Sequence, residues 1–346
     1  MKSIAVAILN WNGRPLLERF LPSVLQHSDQ GDVIVIDNGS TDDSIEWLKS
    51  NHPDVRIIAL ESNSGYAGGY NEGMKQIEHE YVVLLNSDVE VTENWLQPIL
   101  DRFASDELIG AIQPKILSLN EPSKFEYAGA AGGFIDQLGY PFCRGRIFYF
   151  TEEDKGQYND AMPVFWSTGA CLAVRAEAYH KAGELDPQFF AHMEEIDLCW
   201  RMQRNGYSCW VEPASEVYHL GGGTLSSQST QKTYLNFRNN LILLTKNLPQ
   251  RKILSVILAR LILDGVAGIQ FALKGQIPHT MAIVKAHFHF YGRYGKIVKG
   301  RSGEFPWPLT GLYRQSIVRQ VFLGGMKSFD KLTKSAFTFP KASRNS

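Results

Sequence analysis

Closely spaced cysteines are missing from this sequence. Its 346 residues include four cysteines, none of them in C-x-x-C spacing: Cys143, Cys171, Cys199 and Cys209. Structural zinc sites and disulfide frameworks depend on such spacing, so we expect neither, and we expect reduced thiols in the cytosol. Residues 1–3 run directly into a strand-like segment without a small-residue cleavage site, which predicts the absence of a signal peptide.

Acidic residues are scarce in the last third of the chain. From Lys246 onward, 17 lysines and arginines face three acids, a balance of +14. The preceding 245 residues carry 18 lysines and arginines against 33 acids, a balance of −15, so the net charge of −1 hides a strong polarity. An asymmetry of this size predicts an anionic partner for the basic region.

Long apolar runs without charge are also missing. Residues 253–273 are long enough to span a membrane, but they include Arg260 and Asp264, which are costly at a bilayer centre. On a helical wheel the polar residues share one side: Lys252, Arg260, Asp264, Gln270 and Lys274. The apolar residues share the other: Leu254, Ile257, Leu258, Leu261, Ile262 and Ile269. This pattern predicts a helix in an interface or on a core, and the basic charge favours a peripheral anchor on anionic lipid. No nucleic-acid module is recognisable, so we expect no nucleic-acid partner.

The first 120 residues alternate short apolar runs with helical patterns. The runs at residues 4–9, 33–36, 55–60 and 81–85 predict strands, and this rhythm predicts an α/β fold with a doubly wound, mostly parallel sheet. Further strands are expected at residues 168–174 and 209–211, and a helix at 189–205. The glycine-rich residues 120–165 are expected to form loops, as an insertion or lid.

Small polar residues follow each of the first four predicted strands. They are Asn10 and Asn12; Asp37 and Asn38; Asn63, Gly65, Gly68 and Asn71; and Asn86, Ser87 and Asp88. Ligands of open α/β sheets bind at the carboxyl ends of the strands, where a carboxylate can hold a divalent metal and glycines let backbone N–H groups approach phosphate. Each segment alone is at least as typical of a turn, and the first segment is more typical of a turn than of a ligand site. The glycines do not have G-x-G-x-x-G spacing.

Two later features suggest further chemistry. Glu194, Glu195 and Asp197 crowd three carboxylates into four residues, which can raise a pKa and create a base. The alternative is a helix start enriched in acids by the helix dipole. His219 precedes a glycine run at 221–223 and is either a metal ligand or structural.

In this order and spacing, the segments resemble glycosyltransferase family 2 enzymes of the GT-A fold, and more narrowly their bacterial rhamnosyltransferase-like branch. The resemblance covers about residues 1–245, and residues 234–240 also resemble this branch. It implies that Asp37 contacts the nucleotide base and that Asn86-Ser87-Asp88 stands at the D-x-D position. It also implies that Asp88 and His219 hold Mg²⁺ or Mn²⁺. Glu195 stands where the catalytic Asp usually is, so Glu194 and Asp197 remain alternatives for the base.

The remaining implied donor contacts come from the strand-end segments: Asn10, Asn12, Asn38, Asn63, Gly65, Gly68, Asn71, Asn86 and Ser87. The expected activity is an inverting, metal-dependent transfer from dTDP-rhamnose or a UDP-sugar to a lipid-linked surface glycan. We expect a catalytic domain at 1–245 and a basic helical region at 246–346, on the inner face of the cell membrane.

Two alternatives remain open at the level of sequence. A sugar nucleotidyltransferase would need a glycine-rich loop with a basic residue after the first strand, and residues 10–14, Asn-Trp-Asn-Gly-Arg, fit poorly. A non-catalytic glycan-binding protein of the same fold would not need the carboxylates and the histidine, and all of them are present.

Overall fold

The computed structural model describes residues 3–221 and 229–339. Its first part alternates strands and helices: β1 (Ile4–Asn10), α1 (Arg14–His27), β2 (Gly31–Asp37), α2 (Ser44–Asn51), β3 (Arg56–Ala59), α3 (Gly65–Met74) and β4 (Tyr81–Asn86). The apolar runs of β1 and β4 are buried on both faces, as in a parallel sheet covered by helices. β1 pairs in parallel with β2 and β4, so that Asn10 lies opposite Asp37 and Leu9 opposite Asn86. The carboxyl ends of three strands therefore meet at one edge.

The middle of the chain completes the main sheet and adds a second, smaller sheet. Its elements are β5 (Val89–Val91), α4 (Leu96–Ser105), β6 (Ile109–Ser118), β7 (Gly133–Asp136), β8 (Pro141–Cys143), β9 (Arg146–Ile147), β10 (Phe150–Thr151), β11 (Met162–Val164), β12 (Cys171–Arg175), α5 (Ala176–Lys181), α6 (Glu194–Arg204) and β13 (Ser208–His219). The C-terminal part contributes α7 (Thr230–Asn247), α8 (Gln250–Leu273), α9 (Ile277–Lys299), β14 (Leu312–Tyr313) and α10 (Ile317–Phe322).

The main sheet has the strand order β11-β13-β6-β12-β4-β1-β2-β3, and β5 pairs with β13. β12 runs antiparallel to both β4 and β6, whereas β6 and β13 are parallel. Helices cover the sheet, and a helical part follows it along the chain. The predicted fold class is confirmed. The four cysteines are buried and free.

The prediction of loops for residues 120–165 was wrong in part. This segment carries β7 to β10, which form a five-stranded sheet with β14, in the order β10-β9-β8-β7-β14. The strands are only two to four residues long and lie among glycines, so their periodicity was too short to recognise. Aromatic residues of this sheet pack on the C-terminal part, with the rings of Phe134 and Phe337 5.2 Å apart.

The predicted start of the helix at Phe189 was also wrong. Residues 187–189 form a 3₁₀ turn, and α6 begins at Glu194. Between them, Phe190, His192 and Met193 have positive φ angles of 66°, 68° and 79°. Non-glycine residues rarely adopt this left-handed conformation, and it interrupts the helix that their composition favours. The acidic residues therefore start a helix directly after a strained segment.

α8 buries Arg260 and Asp264 together with the apolar Ile253, Val256 and Ile257, and it exposes other apolar residues. Arg260 and Asp264 are buried, 3.4 Å apart, and His287 of α9 lies 3.1 Å from Asp264. Arg260 also stacks on the ring of Tyr140, 3.8 Å from its centroid. The wheel prediction was therefore right only in part: Arg260 and Asp264 face the protein, but so does Ile257 of the predicted apolar side. Gln270 and Lys274 of the predicted polar side are exposed.

Candidate active site

The ends of β1 and β2 fix a buried carboxylate. Asn10 Nδ2 donates to Asp37 Oδ2 at 2.9 Å, and the backbone N–H of Ser40 donates to Oδ1 at 2.9 Å. Asp37 is fully buried, and each oxygen keeps a further lone pair that can accept a hydrogen bond. The arrangement can therefore receive one N–H of a ligand in a fixed direction.

Asparagine side chains tie the neighbouring loops together. Asn12 Oδ1 accepts from the backbone N–H of Thr41 at 2.7 Å, which joins the first two strand ends. Asn38 Nδ2 donates to Asn63 Oδ1 and to the carbonyl of Gly65, both at 3.0 Å, which joins the second and third. These side chains shape the edge of the site.

Two residues of the third loop have mainly structural contacts. A Cβ at Gly68 would lie 2.7 Å from the Cβ of Ser64, so this position has room only for glycine. Asn71 donates to the carbonyl of Leu185 at 2.8 Å and accepts from the hydroxyl of Tyr179 at 2.5 Å. The Asn71 amide therefore holds α3 against the segment before α6.

Asp88 and His219 meet as expected from the sequence. β5 pairs with β13 so that His219 lies opposite Val89, and His219 Nε2 lies 3.1 Å from Asp88 Oδ1. Both side chains are buried. Asn86 and Ser87 are half-buried between β4 and Asp88. Most of the glycine run after His219 lies outside the described residues.

Glu126 is a third member of this cluster that the sequence did not indicate. Its Oε2 lies 3.4 Å from His219 Nδ1 and also accepts from the backbone N–H of Ala128. Burial lowers the pKa of His219, but hydrogen bonds to Asp88 and Glu126 outweigh it and raise the pKa to about 10. Glu126 stands alone in a glycine-rich segment, and no motif marks it.

The donor set of this cluster suits a hard divalent cation. It offers carboxylate oxygens and, once His219 has lost its proton, an imidazole nitrogen, and Mg²⁺ and Mn²⁺ accept both kinds of ligand. Over residues 3–221 and 229–339, no group of three or more His, Cys, Asp or Glu side chains is arranged to hold a metal. A cation bound by Asp88 and His219 would therefore need further ligands from outside this cluster.

Within the acidic set, the three carboxyl groups have different surroundings. Asp197 is fully buried and bonds to Arg201 (2.7 Å), Lys246 (2.8 Å) and Asn247 (2.7 Å). Burial alone would raise the pKa of Asp197, but the two cations hold it below its usual value. Asp197 is thus an ionised anchor between α6 and α7, a poor candidate for a base.

Glu194 and Glu195 each keep one buried carboxyl oxygen without a hydrogen-bond partner. Burial raises the pKa of Glu195 to about 7. Burial and the neighbouring charge of Glu195 raise the pKa of Glu194 well above its usual value. Near neutral pH, Glu195 is the carboxyl that can change protonation state.

Residues 169 and 170 connect the acidic set to the end of β4. A Cβ at Gly169 would lie 3.8 Å from the Cβ of Glu195, and the Gly169 carbonyl accepts from the hydroxyl of Tyr66 at 2.8 Å. The carbonyl of Ala170 accepts from the backbone N–H of Asn86 at 3.0 Å. Glu195 and the Asp88 cluster therefore border the same stretch of the sheet edge.

α7 holds the strained segment before α6 in place. Asn239 Nδ2 donates to the carbonyls of Phe189, Ala191 and His192 at 2.8–2.9 Å. Arg238 donates to the Phe189 carbonyl at 2.8 Å. This network explains the segment at 234–240 singled out in the sequence. His192, which sequence reasoning missed, points a buried, unpartnered Nε2 into this region.

Known proteins share this fold and this sequence pattern. The N-acetylglucosaminyl-diphospho-decaprenol L-rhamnosyltransferase of Mycobacterium tuberculosis is 27% identical over 235 residues, 62% of this chain and 75% of that protein. The structure of GalNAc-T7 with UDP, GalNAc and Mn²⁺ has a TM-score of 0.55 at 17% identity, over 73% of this chain and 49% of that one. This chain therefore spans about half the length of that protein.

The mannosyltransferase PcManGT of Pyrobaculum calidifontis, in complex with GDP-Man and Mn²⁺, has a TM-score of 0.51 at 15% identity, over 86% of this chain and 83% of that one. At these identities the two structures establish a shared fold. The model of glycosyl transferase family 2 matches residues 3–181, more than half of the 346 residues. The chain belongs to glycosyl transferase family 2, and its sequence is similar to the bacterial rhamnosyltransferase-like branch.

Proposed function

We propose that this protein is an inverting, metal-dependent glycosyltransferase. Its donor is a nucleotide-diphosphate sugar, dTDP-rhamnose or a UDP-sugar, and its acceptor is a hydroxyl of a lipid-linked surface glycan. The observation that carries the proposal is the place of Glu195, which has one carboxyl oxygen without a hydrogen-bond partner and lies beside Gly169, next to the residue that bonds to the end of β4 before the Asp88–His219 pair. The family membership gives this geometry its reaction class.

Glu195 has the properties of the base in a single displacement. The acceptor hydroxyl must lose a proton as it attacks the anomeric carbon from the face opposite the leaving nucleoside diphosphate. A carboxyl with a pKa of about 7 is ionised often enough at neutral pH to accept that proton and basic enough to hold it. One displacement of this kind inverts the anomeric centre.

The other end of the site handles the nucleotide. Asp37 accepts the imide N–H of a uracil or thymine base, and Asn10 keeps the carboxylate in that orientation. Asp88 and His219 would hold Mg²⁺ or Mn²⁺, which neutralises the negative charge of the leaving diphosphate. The structures of GalNAc-T7 and PcManGT contain Mn²⁺ together with a nucleotide or nucleotide sugar, which supports the choice of metal.

The acceptor is inferred from the relatives and from the surface. The mycobacterial relative is named for an acceptor that consists of a sugar diphosphate on decaprenol. α8 exposes Leu254, Ile262 and Leu273 to 70%, 69% and 84%, and α9 exposes Met281 and Phe288 to 58% and 71%. Among the described residues, α8 is the one helix long and apolar enough to cross a membrane.

We assign this apolar surface to a lipid bilayer. The proposed division is a catalytic domain at 1–245 and a membrane-peripheral region at 246–346. Since the buried charges of α8 face the protein, the helix lies in the plane of the interface with its apolar side in the lipid. The excess of cations in this region favours an anionic leaflet and supports the inner face of the cell membrane as the proposed location.

A panel of nucleotide sugars tests the proposed activity. Wild-type protein is incubated with dTDP-rhamnose, UDP-sugars and GDP-mannose, with Mg²⁺, Mn²⁺ or EDTA, and nucleoside diphosphate release is measured. We expect release from dTDP-rhamnose or a UDP-sugar, lost in EDTA and in Asp88→Asn. Glu195→Gln should still bind the nucleotide, but its turnover, measured as nucleoside diphosphate release, should be at least about 100-fold slower. Nucleotide-sugar binding without turnover under any condition would indicate a non-catalytic binding protein.

A further inference from the structure

A cavity beside α9 has three cations among its seven lining residues and lies outside the proposed donor site. It has a volume of about 400 Å³ and is lined by Asp186, Gln188, Lys246, Arg293, Lys296, Ile297 and Gly300. Lys246 pairs with Asp186 at 2.6 Å and with Asp197 at 2.8 Å. Arg293 and Lys296 are exposed and form no ion pair or side-chain hydrogen bond with the described residues. Two free cations thus face a cavity whose carboxylate is already neutralised.

The cationic side of α9 continues from this cavity along α7. Lys285, His289 and Arg293 are spaced by four residues, so they follow one another along the helix surface. Lys285 Nζ lies 5.2 Å from the ring centroid of Tyr234, and the hydroxyl of Tyr234 bonds to His289 Nδ1. Arg238 lies on the same ring, 5.3 Å from its centroid. The ring of Tyr234 therefore contacts cations from both helices, Lys285 of α9 and Arg238 of α7.

The charges on this surface repel one another. Burial lowers the pKa of His289, and the charges of Arg293, Arg238 and Lys285 lower it further. From Lys246 onward the chain has only Asp264, Glu304 and Asp330 to balance them, and Asp264 is buried against Arg260. An anion with several charged oxygens would relieve this repulsion, and guanidinium and ammonium groups are the usual ligands of phosphate.

The apolar surface of the same helix adjoins the cationic side. At 3.6 residues per turn, five exposed apolar residues of α9 share one side: Ile277, Met281, Val284, Phe288 and Tyr291. The cationic side lies between this apolar side and the buried one, which includes Ala286, Phe290 and Ile297. A phosphate in the cavity would therefore lie at the edge of the surface that we assign to lipid.

The cavity also borders the acidic set. Lys246 lines the cavity and bonds to Asp197, which lies two residues after Glu195 in α6. The backbone carbonyl of Gln188, another lining residue, accepts a hydrogen bond from Arg238, which also donates to the carbonyl of Phe189. Lys246 and Gln188 therefore connect the cavity to the segment that leads to Glu195, the proposed base.

We propose that this cavity binds the diphosphate of a lipid-linked acceptor, with Arg293 and Lys296 as its main ligands. The proposal rests on the proposed function and names its acceptor subsite. The diphosphate binds between α9 and residues 186–188, the lipid chain runs along the exposed side of α9 and α8, and the sugar extends toward Glu195. Recognition of the diphosphate explains how a transferase selects a lipid-linked sugar over the same sugar free in solution.

A pair of double variants tests the subsite. R293Q/K296Q removes the two free cations, whereas R251Q/K274Q removes two exposed cations at the ends of α8, outside the cavity. Binding of citronellyl diphosphate, a short soluble isoprenoid diphosphate, is measured by calorimetry in EDTA without donor. We expect R293Q/K296Q to weaken binding at least about tenfold and R251Q/K274Q to bind as wild type. Equal losses in both variants, or no loss in R293Q/K296Q, would overturn the proposal.

Two further measurements separate the possible sources of phosphate and the two proposals. With a diphosphate-linked acceptor sugar, R293Q/K296Q should raise KM about tenfold, and with an alkyl glycoside of the same sugar it should leave KM unchanged. If only adsorption to phosphatidylglycerol vesicles falls, the cations recognise membrane headgroups and the subsite is refuted. Specific binding of citronellyl diphosphate without any sugar transfer would leave the subsite standing and refute the proposed function.

Discussion

At the scale of single residues, the site depends on how burial divides equivalent carboxyl groups. Glu194, Glu195 and Asp197 have the same local pattern, an acid near a helix start, and only the family resemblance favoured Glu195 as the base. The structure gives Asp197 three partners and leaves an oxygen of Glu195 without one. Two of these three partners come from α7, 49 and 50 residues further along the chain, so the local sequence does not reveal which of the acids is neutralised.

The pH dependence of turnover should report Glu195. The group must be ionised to accept a proton, so kcat/KM should fall as pH drops through about 7 and stay level above it. A rate profile from pH 5 to 9 with saturating metal measures this limb. An acid limb near pH 4.5, the ordinary value for Glu, would mean that an unperturbed carboxyl is the base.

The same pKa has a consequence for stability. A carboxyl whose pKa is raised by folding binds protons more tightly in the folded state, so it costs stability as pH rises from about 4.5 to 7. Glu195→Gln should therefore unfold at higher urea concentration than wild type at pH 8 and at a similar concentration at pH 4. This separates loss of the base from loss of the fold.

At the scale of elements, the sequence predicted the strands that carry a long run of buried residues. The strands β1, β2 and β4 were found because they are six or seven residues long and carry clear apolar runs, and the predicted site residues at their ends lie at one edge of the sheet. The short strands β7 to β10 and the left-handed residues before α6 were not found, since tertiary contacts determine both. The carbonyls of Phe189, Ala191 and His192 are held by Asn239, which is remote in sequence.

The junction of α6 and α7 should be structural rather than catalytic. Asp197→Asn removes the charge that Arg201 and Lys246 share, and breaking a buried ion pair typically costs about 3–5 kcal/mol. We expect a lower urea midpoint for unfolding, with the activity per folded molecule reduced far less than in Glu195→Gln. An Asp197→Asn protein that is as stable as wild type and inactive would move the role of base to Asp197.

At the scale of the whole molecule, the chain combines an acidic catalytic part with a basic, outwardly apolar helical part. The helical wheel of α8 predicted two sides but not which one faces the protein, because a wheel carries no information about the neighbours of a helix. The buried contacts of Arg260 with Tyr140, Asn240 and Asp264 decide it. α8 thus buries two charged residues while it exposes several leucines and isoleucines, and an exposed apolar surface of this kind typically marks an interaction site.

A triple substitution on α8 tests whether that partner is lipid. L258Q/I262Q/I269Q replaces three residues that are 52%, 69% and 62% exposed, so the fold should lose little. If each leucine or isoleucine contributes about 1 kcal/mol of burial in the bilayer, partition onto phosphatidylglycerol vesicles should fall by about 100-fold. Leu108→Gln changes a residue of similar exposure (58%) outside the helical part and should leave vesicle binding unchanged. Sedimentation of the wild type without lipid tests the alternative partner, which is a second copy of the chain. A stable wild-type dimer that the triple variant fails to form would assign the apolar side of α8 to that second copy.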